Sequence, residues 1–484
     1  MSDLAAALER SASEDIELIV DGVAYRFSSL WTAASKNRAD LGPLCLRNDI
    51  SSINAVLTAI AQDLLFTSLV SESAHQVGHF EASGLIQQSS GTTGEPKSVH
   101  IDWQSLYRVI ASTVERIGVF EPPVRTLSWM PLSHDLGLVG MLLCPLVGVG
   151  MEWHRSGTVE IQRPQTFVLH PSSWLRACFD KSVAISALTP SAIRALRYAN
   201  PHSPGALTAL QSVVVGGEFI RAEDLAWLER FLANGVAPRK SFRLRPAYGC
   251  AEAGLTLSMT ERGSSWRVMS ASLQRIADGV LEESEGADAL PLVSCGTPLA
   301  PTNLRIVGGS CGRIEFRRDS NAEWIDSGDL GYLSDGELFI AGRSGDFLRL
   351  SSGEAVFAPD LDRELRENDA GVRAAVACSV AGEPGIGLLV ASRGTADQRV
   401  AAACRVAQRF NELHGERPAV VAAGGRLCIP YTPSGKVRRL EAGSILNRLV
   451  GTESVPGVML VSTKRLSRPM PGVNAFMPWE PNET

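Results

Sequence analysis

Three observations predict an α/β protein of more than one domain. The chain has 484 residues, and with about 100 to 200 residues per globular domain this length favours two to four domains. Of its residues, 45% are hydrophobic and 20% charged, a balance that can bury a sizeable core and lies far from the signature of a disordered chain. Short β-rich runs alternate with helical patterns along the chain, which is the pattern of strands flanked by helices.

The elements follow in order. IELIV, starting at Ile16, reads as a strand, and residues 53–65 read as an apolar helical stretch. The most apolar run, 136–151, has 16 residues with four glycines and Pro145. It falls short of the roughly 20 residues needed to cross a bilayer and reads as a buried strand or pocket wall. SVVVGG, from Ser212, predicts a strand, followed by a helix over 222–234. In that helix Leu225, Leu228, Phe231 and Leu232 share one face, and Gly235 stands where a C-terminal cap is expected. GRIEF from Gly312 and GELFIAG from Gly336 predict the close-set strands of a β-rich region over 290–343. After Gly342 the chain reads as a separate compact α/β unit: a polar helix from Ala358, the strand-like AAVACSVAG from Ala374, and a helix over 396–414. This places a boundary at 344–346 between residues 1–343 and a small domain over 347–450. Residues 451–484 carry five prolines and no sustained apolar period, so a loosely held tail is expected there.

Charge and cysteine usage exclude several classes. Lys and Arg total 46 against 52 Asp and Glu, for a net charge of −6, so no general basic surface invites nucleic acid or an anionic membrane. The nine cysteines contain no C-x-x-C pair, which argues against a disulfide framework or a structural zinc site. The first residues, MSDLAAALERSASEDIE, resemble neither a secretory signal nor a transit peptide, and a cytoplasmic location is expected. His75 and His79 are four residues apart, a metal-compatible helical spacing, but acidic or cysteine partners are not evident nearby.

The strongest motif is LIQQSSGTTGEPK, residues 85–97. An apolar strand-like start runs into a loop offering backbone N–H groups, the hydroxyls of Ser89, Ser90, Thr92 and Thr93, the conformational freedom of Gly91 and Gly94, and the cation Lys97. Such a loop suits a polyphosphate. Pro96 precedes the lysine where a Walker A loop requires glycine, so a P-loop NTPase is disfavoured. Downstream come PLSHDLGL at Pro131, GGE at Gly216, YGCAEAG at Tyr248, DSGDLGYL at Asp326, GRSGD at Gly342 and TPSGKVRR at Thr432.

Together, and in this order, these motifs resemble those of the adenylate-forming enzymes, which include acyl-CoA synthetases, fatty acyl-AMP ligases, luciferases and nonribosomal adenylation domains. The phosphate loop and TPSGKVRR are the most specific, and the resemblance runs from about residue 80 to 445. It implies an α/β fold with a large, multi-subdomain N-terminal domain and a hinge to a small mobile α/β C-terminal domain. It also implies ATP and Mg²⁺ as cosubstrate and metal, a carboxylic acid substrate, and CoA or phosphopantetheine, the latter on a separate acyl carrier protein, as acyl acceptor. No nucleic acid or membrane span is implied, and the oligomeric state is open.

The resemblance assigns roles residue by residue. Ser89, Ser90, Gly91, Thr92, Thr93, Gly94 and Lys97 hold phosphates, Gly216, Gly217 and Glu218 lie against adenine, and Tyr248 and Gly249 belong to the nucleotide site. Glu252 is the Mg²⁺-associated carboxylate, as suits a metal whose other ligands are mostly phosphate and water. Asp329 and Arg343 bind the ribose hydroxyls, and His134 closes one side of the carboxylate pocket. Lys436 bridges the carboxylate and the α-phosphate, placing an ammonium where charge develops. Gly345 and Asp346 form the hinge.

The pattern also departs from the family. Ala251 replaces the usual threonine before Glu252, a form common among fatty acyl-AMP ligases. The phosphate loop comes early, implying an abbreviated N-terminal subdomain, and the loop after Arg343 is one residue longer than usual. The 74 residues between Glu252 and Ser327 leave little room for the insertion that fatty acyl-AMP ligases carry. The expected activity is acyl-AMP formation with pyrophosphate release, then transfer to a thiol. The alternatives are transfer to an amine or another nucleophile, and a non-catalytic nucleotide-binding role.

Overall fold

The computed structural model describes residues 2–36, 41–69, 82–89, 97–118, 124–151, 156–202, 207–233, 243–286, 288–319, 322–367, 369–432 and 436–461. Gly235, His75, His79 and the loop tips Ser90 to Pro96 and Pro433 to Gly435 lie outside the described residues. The fold is mixed α/β and divides into two compact units. The first comprises Met1–Ser89, Lys97–Ser272 and Gly279–Gly342; the second comprises Ser90–Pro96, Leu273–Asp278 and Arg343–Thr484.

The first unit is organised on a nine-stranded sheet. Its order is Thr297–Pro298, Thr256–Met259, Arg243–Gly249, Ser212–Val215, Ile185–Leu188, Val124–Ser128, Ser156–Ile161, Asp15–Val20 and Val23–Arg26. The six strands from Arg243–Gly249 across to Asp15–Val20 run parallel, while both edges are antiparallel. The short central strands are buried along their whole length, as in a parallel sheet covered by helices on both faces: all four residues of Ile185–Leu188 and of Ser212–Val215 are buried. The strand Val124–Ser128 is followed in sequence by its neighbour on one side, Ser156–Ile161, and then by its neighbour on the other, Ile185–Leu188. This reversal makes its carboxyl end a topological switch point, where open α/β sheets bind ligands.

Besides the antiparallel pair Val268–Ser272 and Ala289–Val293, two further sheets complete the unit. One joins Leu65–Ser68, Gly84–Ser89 and Lys97–Ile101, with Ser89 directly opposite Lys97 at the neck of the hairpin that carries the glycine-rich loop. The other is a four-stranded sheet of Asn303–Val307, Gly312–Arg317, Ile325–Ser334 and Glu337–Arg343, the β-rich region expected from GRIEF and GELFIAG.

The second unit has a four-stranded sheet in the order Val372–Ser379, Ile386–Ser392, Val420–Gly424 and Val458–Val461, and a short hairpin of Phe347–Arg349 with Ala355–Phe357. Its longer helices are Ala358–Arg366, Ala396–His414 and Arg439–Val450, and the short helix Leu273–Ala277 belongs to it as well. Leu273–Asp278 joins this unit through Gln274, whose side chain accepts the Ala355 N–H at 2.9 Å, and through Asp278, which pairs with Arg349 at 2.6 Å.

Three sequence expectations need correction. Residues 136–151 form not a strand but a wide-turn helix, Leu136–Leu143, continuing as the α-helix Cys144–Met151. A continuous apolar run carries no period to separate a buried helix from a strand. Two of its glycines let backbones approach: a Cβ on Gly137 would lie 2.2 Å from the Pro131 carbonyl oxygen and one on Gly150 2.9 Å from the Ser11 nitrogen. The helix predicted over 53–65 starts earlier, at Ile50, because Asp49 caps it by accepting the Ser52 N–H at 2.8 Å. It ends at Ala61, and Leu65 already belongs to the next strand. Finally, residues 451–461 are not a loose tail. Val458–Val461 pairs antiparallel with Val420–Gly424, and Val461 is buried in the small core. Four apolar residues after a glycine turn are too short for a periodic signal but long enough for an edge strand.

Candidate active site

Three of the motifs lie where parallel strands of the nine-stranded sheet end. The histidine loop follows Val124–Ser128, the GGE turn follows Ser212–Val215, and the Y-G-C-A-E turn closes Arg243–Gly249. These are carboxyl ends of strands in one sheet, so residues distant in sequence are delivered to one edge.

The glutamate turn is built tightly. The ladder between Arg243–Gly249 and Thr256–Met259 is bulged between Tyr248 and Gly249. A Cβ on Gly249 would lie 1.7 Å from the Leu255 carbonyl oxygen, so only glycine permits this approach. A 3₁₀ turn, Ala251–Ala253, then carries Glu252 and closes on Gly254 at φ +88°. The Arg318 guanidinium donates to the Glu252 carbonyl oxygen and so fixes the back of the turn.

Tyr248 and Asp329 meet directly. The Tyr248 hydroxyl donates to the Asp329 carboxylate at 2.8 Å, while the Asp329 N–H donates to Ser327 Oγ at 3.3 Å within its own turn. Burial, reinforced by Asp329, pushes the Tyr248 hydroxyl well above its ordinary range, so it remains a donor. A carboxylate is an acceptor with about four lone-pair sites, the chemistry that suits vicinal hydroxyls such as those of ribose. Cys250 lies among Glu252, Asp329 and Asp135; burial first, and then the Glu252 charge, push its thiol well up. That thiol stays protonated and does not act as a nucleophile at neutral pH.

His134 sits in a loop held from outside the motif. Its N–H donates to the Pro131 carbonyl at 3.1 Å and its carbonyl accepts from Leu138 at 2.8 Å. The buried side chain of Asn48 anchors the preceding residues. Its Nδ2 donates to the carbonyls of Met130 at 2.9 Å and Gln162 at 2.7 Å, and its Oδ1 accepts the Leu132 N–H at 2.9 Å. Asn48 thereby links the ends of two neighbouring strands at the switch point. Trp129, stacked on Phe167 with ring centroids 3.9 Å apart, forms part of the adjoining wall.

The Glu218 carboxylate, expected against adenine, is committed to the neighbouring helix. It accepts the Ser191 N–H at 3.0 Å and hydroxyl at 2.5 Å, and pairs with Arg194 at 3.4 Å. Its structural task is to tie the GGE turn to Pro190–Ala199. Gly216 and Gly217 stay at the strand end, where a Cβ on Gly217 would stand 3.8 Å from Thr189 and 4.0 Å from Leu136.

Arg343, Gly345, Asp346 and Lys436 belong to the second unit. Arg343 ends the strand Glu337–Arg343, and Gly345 and Asp346 lie in the turn Ser344–Asp346. Lys436 stands at the foot of a pinched loop. Thr432 N–H donates to the Lys436 carbonyl at 2.7 Å, Lys436 N–H donates to Thr432 Oγ1 at 3.0 Å, and Tyr431 bridges Val437. Ser89 and Lys97 flank the phosphate loop, while Ser90, Gly91, Thr92, Thr93 and Gly94 lie outside the described residues.

Among the described residues no three His, Cys, Asp or Glu side chains are grouped to hold a metal ion, and no helix is long and apolar enough to cross a membrane. A lone Glu252 fits Mg²⁺ that takes its remaining ligands from phosphate and water. Sequence reasoning missed Asn48, Arg318 and Cys250. Asn48 and Arg318 lie outside every motif and act through contacts across long sequence separations, so no local signal marks them.

Residues 17–316 match the family described as AMP-binding enzyme. The chain belongs to the AMP-binding enzyme family. Its relatives include a Caulobacter vibrioides protein provisionally named acyl-CoA synthetase, 28% identical over 449 residues, which span 83% of this chain and 75% of that one. Another is the long-chain-fatty-acid–AMP ligase FadD26 of Mycobacterium bovis, 26% identical over 413 residues, covering 74% of this chain and 68% of the relative. Among solved structures, one from a study of fatty acyl-adenylate ligases of E. coli and L. pneumophila superposes with a TM-score of 0.76 at 19% identity, covering 94% of this chain and 99% of that one. The McyG A-PCP structure with phenylalanyl-adenylate gives 0.70 at 18% identity over 93% of this chain and 83% of its own. These likenesses show the adenylate-forming ligase fold.

Proposed function

We propose that this protein activates a carboxylic acid as its acyl-adenylate and then transfers the acyl group to a thiol. The observation that carries the reading is the Tyr248–Asp329 pair beside the Glu252 turn, at the carboxyl ends of the parallel strands, in a chain of this family. In the first step a carboxylate oxygen attacks the α-phosphorus of ATP. The bond from that phosphorus to the bridging oxygen breaks, and pyrophosphate leaves with the electron pair. Asp329, steadied by Tyr248, accepts the ribose hydroxyls, and Arg343 assists them. Lys97 and the hydroxyls of the phosphate loop neutralise the leaving pyrophosphate, and Lys436 stabilises the charge that develops between carboxylate and α-phosphate. Glu252 would hold Mg²⁺, which supplies further neutralisation of phosphate charge when bound. His134 lines the carboxylate side of the pocket in a loop that Asn48 keeps in register.

In the second step a thiol sulfur, from CoA or a carrier-protein pantetheine, attacks the acyl carbon and AMP departs. The small unit from Arg343 onward is read as the lid that carries Lys436, with Gly345 and Asp346 as its hinge. The test is acid-dependent pyrophosphate release from ATP and Mg²⁺ across a panel of acids, with and without CoA. Release with one class of acid, and acyl-CoA when CoA is present, are the expected results. No release with any acid, despite ATP binding, would overturn the adenylation reading. Adenylate that thiols fail to consume would redirect the second step to an amine or another nucleophile.

A further inference from the structure

Arg439 is a largely buried arginine whose hydrogen bonds and ion pairs reach three different elements of the small unit. Its side chain is 10% exposed. Nε donates to Asp346 Oδ1 at 3.3 Å, Nη2 pairs with Asp362 at 3.0 Å, and Nη1 donates to the Ala377 carbonyl at 2.5 Å. Each acidic partner holds backbone as well. Asp346 Oδ2 accepts the Arg343 N–H at 3.2 Å and so closes the turn Ser344–Asp346, while Asp362 Oδ1 accepts the Ala377 N–H at 2.7 Å. One guanidinium therefore joins the hinge turn, the helix Ala358–Arg366 and the strand Val372–Ser379.

Its place in the chain gives this network a consequence. Arg439 is the first residue of the helix Arg439–Val450 and stands three positions after Lys436. Between them the chain is held nearly rigid, with Val437 bridged to Tyr431 and the Arg438 N–H donating to the Pro430 carbonyl at 2.9 Å. A shift of Arg439 moves the base of the lysine loop. A buried fork of this kind is costly to leave half-paired, since removing one partner strands a desolvated charge. Arginine's planar fork suits it to hold two carboxylates at once where lysine would act as a point charge.

We propose that Arg439 is a positioning residue that latches the Lys436 loop to the hinge turn through Asp346, so that the conformation of the turn sets where the lysine stands. The inference rests on the adenylation reading for its catalytic consequence, but the latch itself is a property of the small unit. Arg439 does not touch reactants. It acts by orienting the backbone that carries Lys436, and a displacement of about 1 Å in a reacting group can cost about 100-fold in rate.

The informative variant is Asp346→Ala. It removes the hinge arm and leaves Arg439 paired with Asp362 and bonded to the Ala377 carbonyl, so the contacts of the guanidinium to the helix and strand remain. Hydrogen exchange of the full-length protein is compared by mass spectrometry for peptides covering 343–347, 430–439 and 386–392. The expected result is exchange at least about tenfold faster in the first two and unchanged in the third, the central strand. Pyrophosphate release is expected to fall about 10- to 100-fold in kcat with KM for ATP within about threefold. Asp346→Glu is expected to restore part of both, and in the Asp346→Ala background Lys436→Ala is expected to cost less than in wild type, as coupled residues do. Unchanged exchange at 430–439, or an unchanged kcat, overturns the latch. If the wild type releases no pyrophosphate, the adenylation reading fails, and the exchange data alone still decide whether Asp346 holds the lysine loop.

Discussion

A buried asparagine outside every motif holds the histidine loop in place. Asn48 makes three hydrogen bonds to main-chain groups of two different strand ends. Replacement by alanine strands buried carbonyls and an amide, and at about 1 kcal/mol net per bond, with more for groups left unpaired, Asn48→Ala should destabilise the first unit by about 2 to 4 kcal/mol. A fall in the urea midpoint without a change in slope checks this, and a midpoint unchanged within error would remove Asn48 from the support of the loop. At the same scale, Lys436→Ala should lower the rate of pyrophosphate release by about 100- to 1,000-fold while nucleotide binding persists, the size of loss seen when one donor to developing charge is removed. Normal turnover in that variant would refute its role. Glu252, Asp329 and Lys436 were legible as candidates because each stands in a motif whose order and spacing are specific. Arg318, Asn48 and the commitment of Glu218 to Ser191 were not, since each depends on a partner far along the chain.

Helix ends show which elements could be read locally. The helix Ala396–His414 was legible to the residue, because Thr395 and Gln398 form a reciprocal capping box and Gly415 closes it in the left-handed region. The helix Trp103–Ile117 follows the phosphate-loop hairpin and is capped by Asp102, whose carboxylate accepts the Ser105 N–H at 2.8 Å and hydroxyl at 2.7 Å. Burial alone would raise this acid, but the Ser105 bonds and the Arg318 charge outweigh it and hold Asp102 below the usual carboxylate value. A depressed folded-state value means stability that is complete above the unfolded-state value of about 3.9 and lost as pH falls through the folded-state value. Asp102→Asn should therefore flatten the fall of stability as pH drops below about 4, measured as the denaturation midpoint against pH. A slope identical to wild type would show that the cap carries no proton linkage. The run Leu136–Leu143 lay beyond such reading: Asp135 caps it by accepting the Leu136 N–H at 2.7 Å, but one acid before a continuous apolar run does not separate strand from helix, and the close approach of Gly137 to the Pro131 carbonyl is a tertiary contact.

At the scale of the whole molecule, the strand ends proposed to take the nucleotide are those that the sheet order brings side by side. A ligand that binds only the folded protein stabilises it by about 2.7 kcal/mol at 100 times its Kd. A non-hydrolysable acyl-adenylate analogue at that concentration should raise the melting temperature, and Asp329→Asn should need more analogue for the same shift. An analogue that moves neither protein would place the nucleotide elsewhere. By itself the sequence determined the α/β class, the order of the motifs and the identity of the acids and lysines that serve them, because composition, period and spacing are properties of neighbouring residues. Tertiary structure decided the rest: that Tyr248 meets Asp329, that Asn48 pins the histidine loop and that Arg439 reaches back to Asp346. Each joins residues separated by tens of positions, and only the packed core and the sheet order determine which distant groups become neighbours.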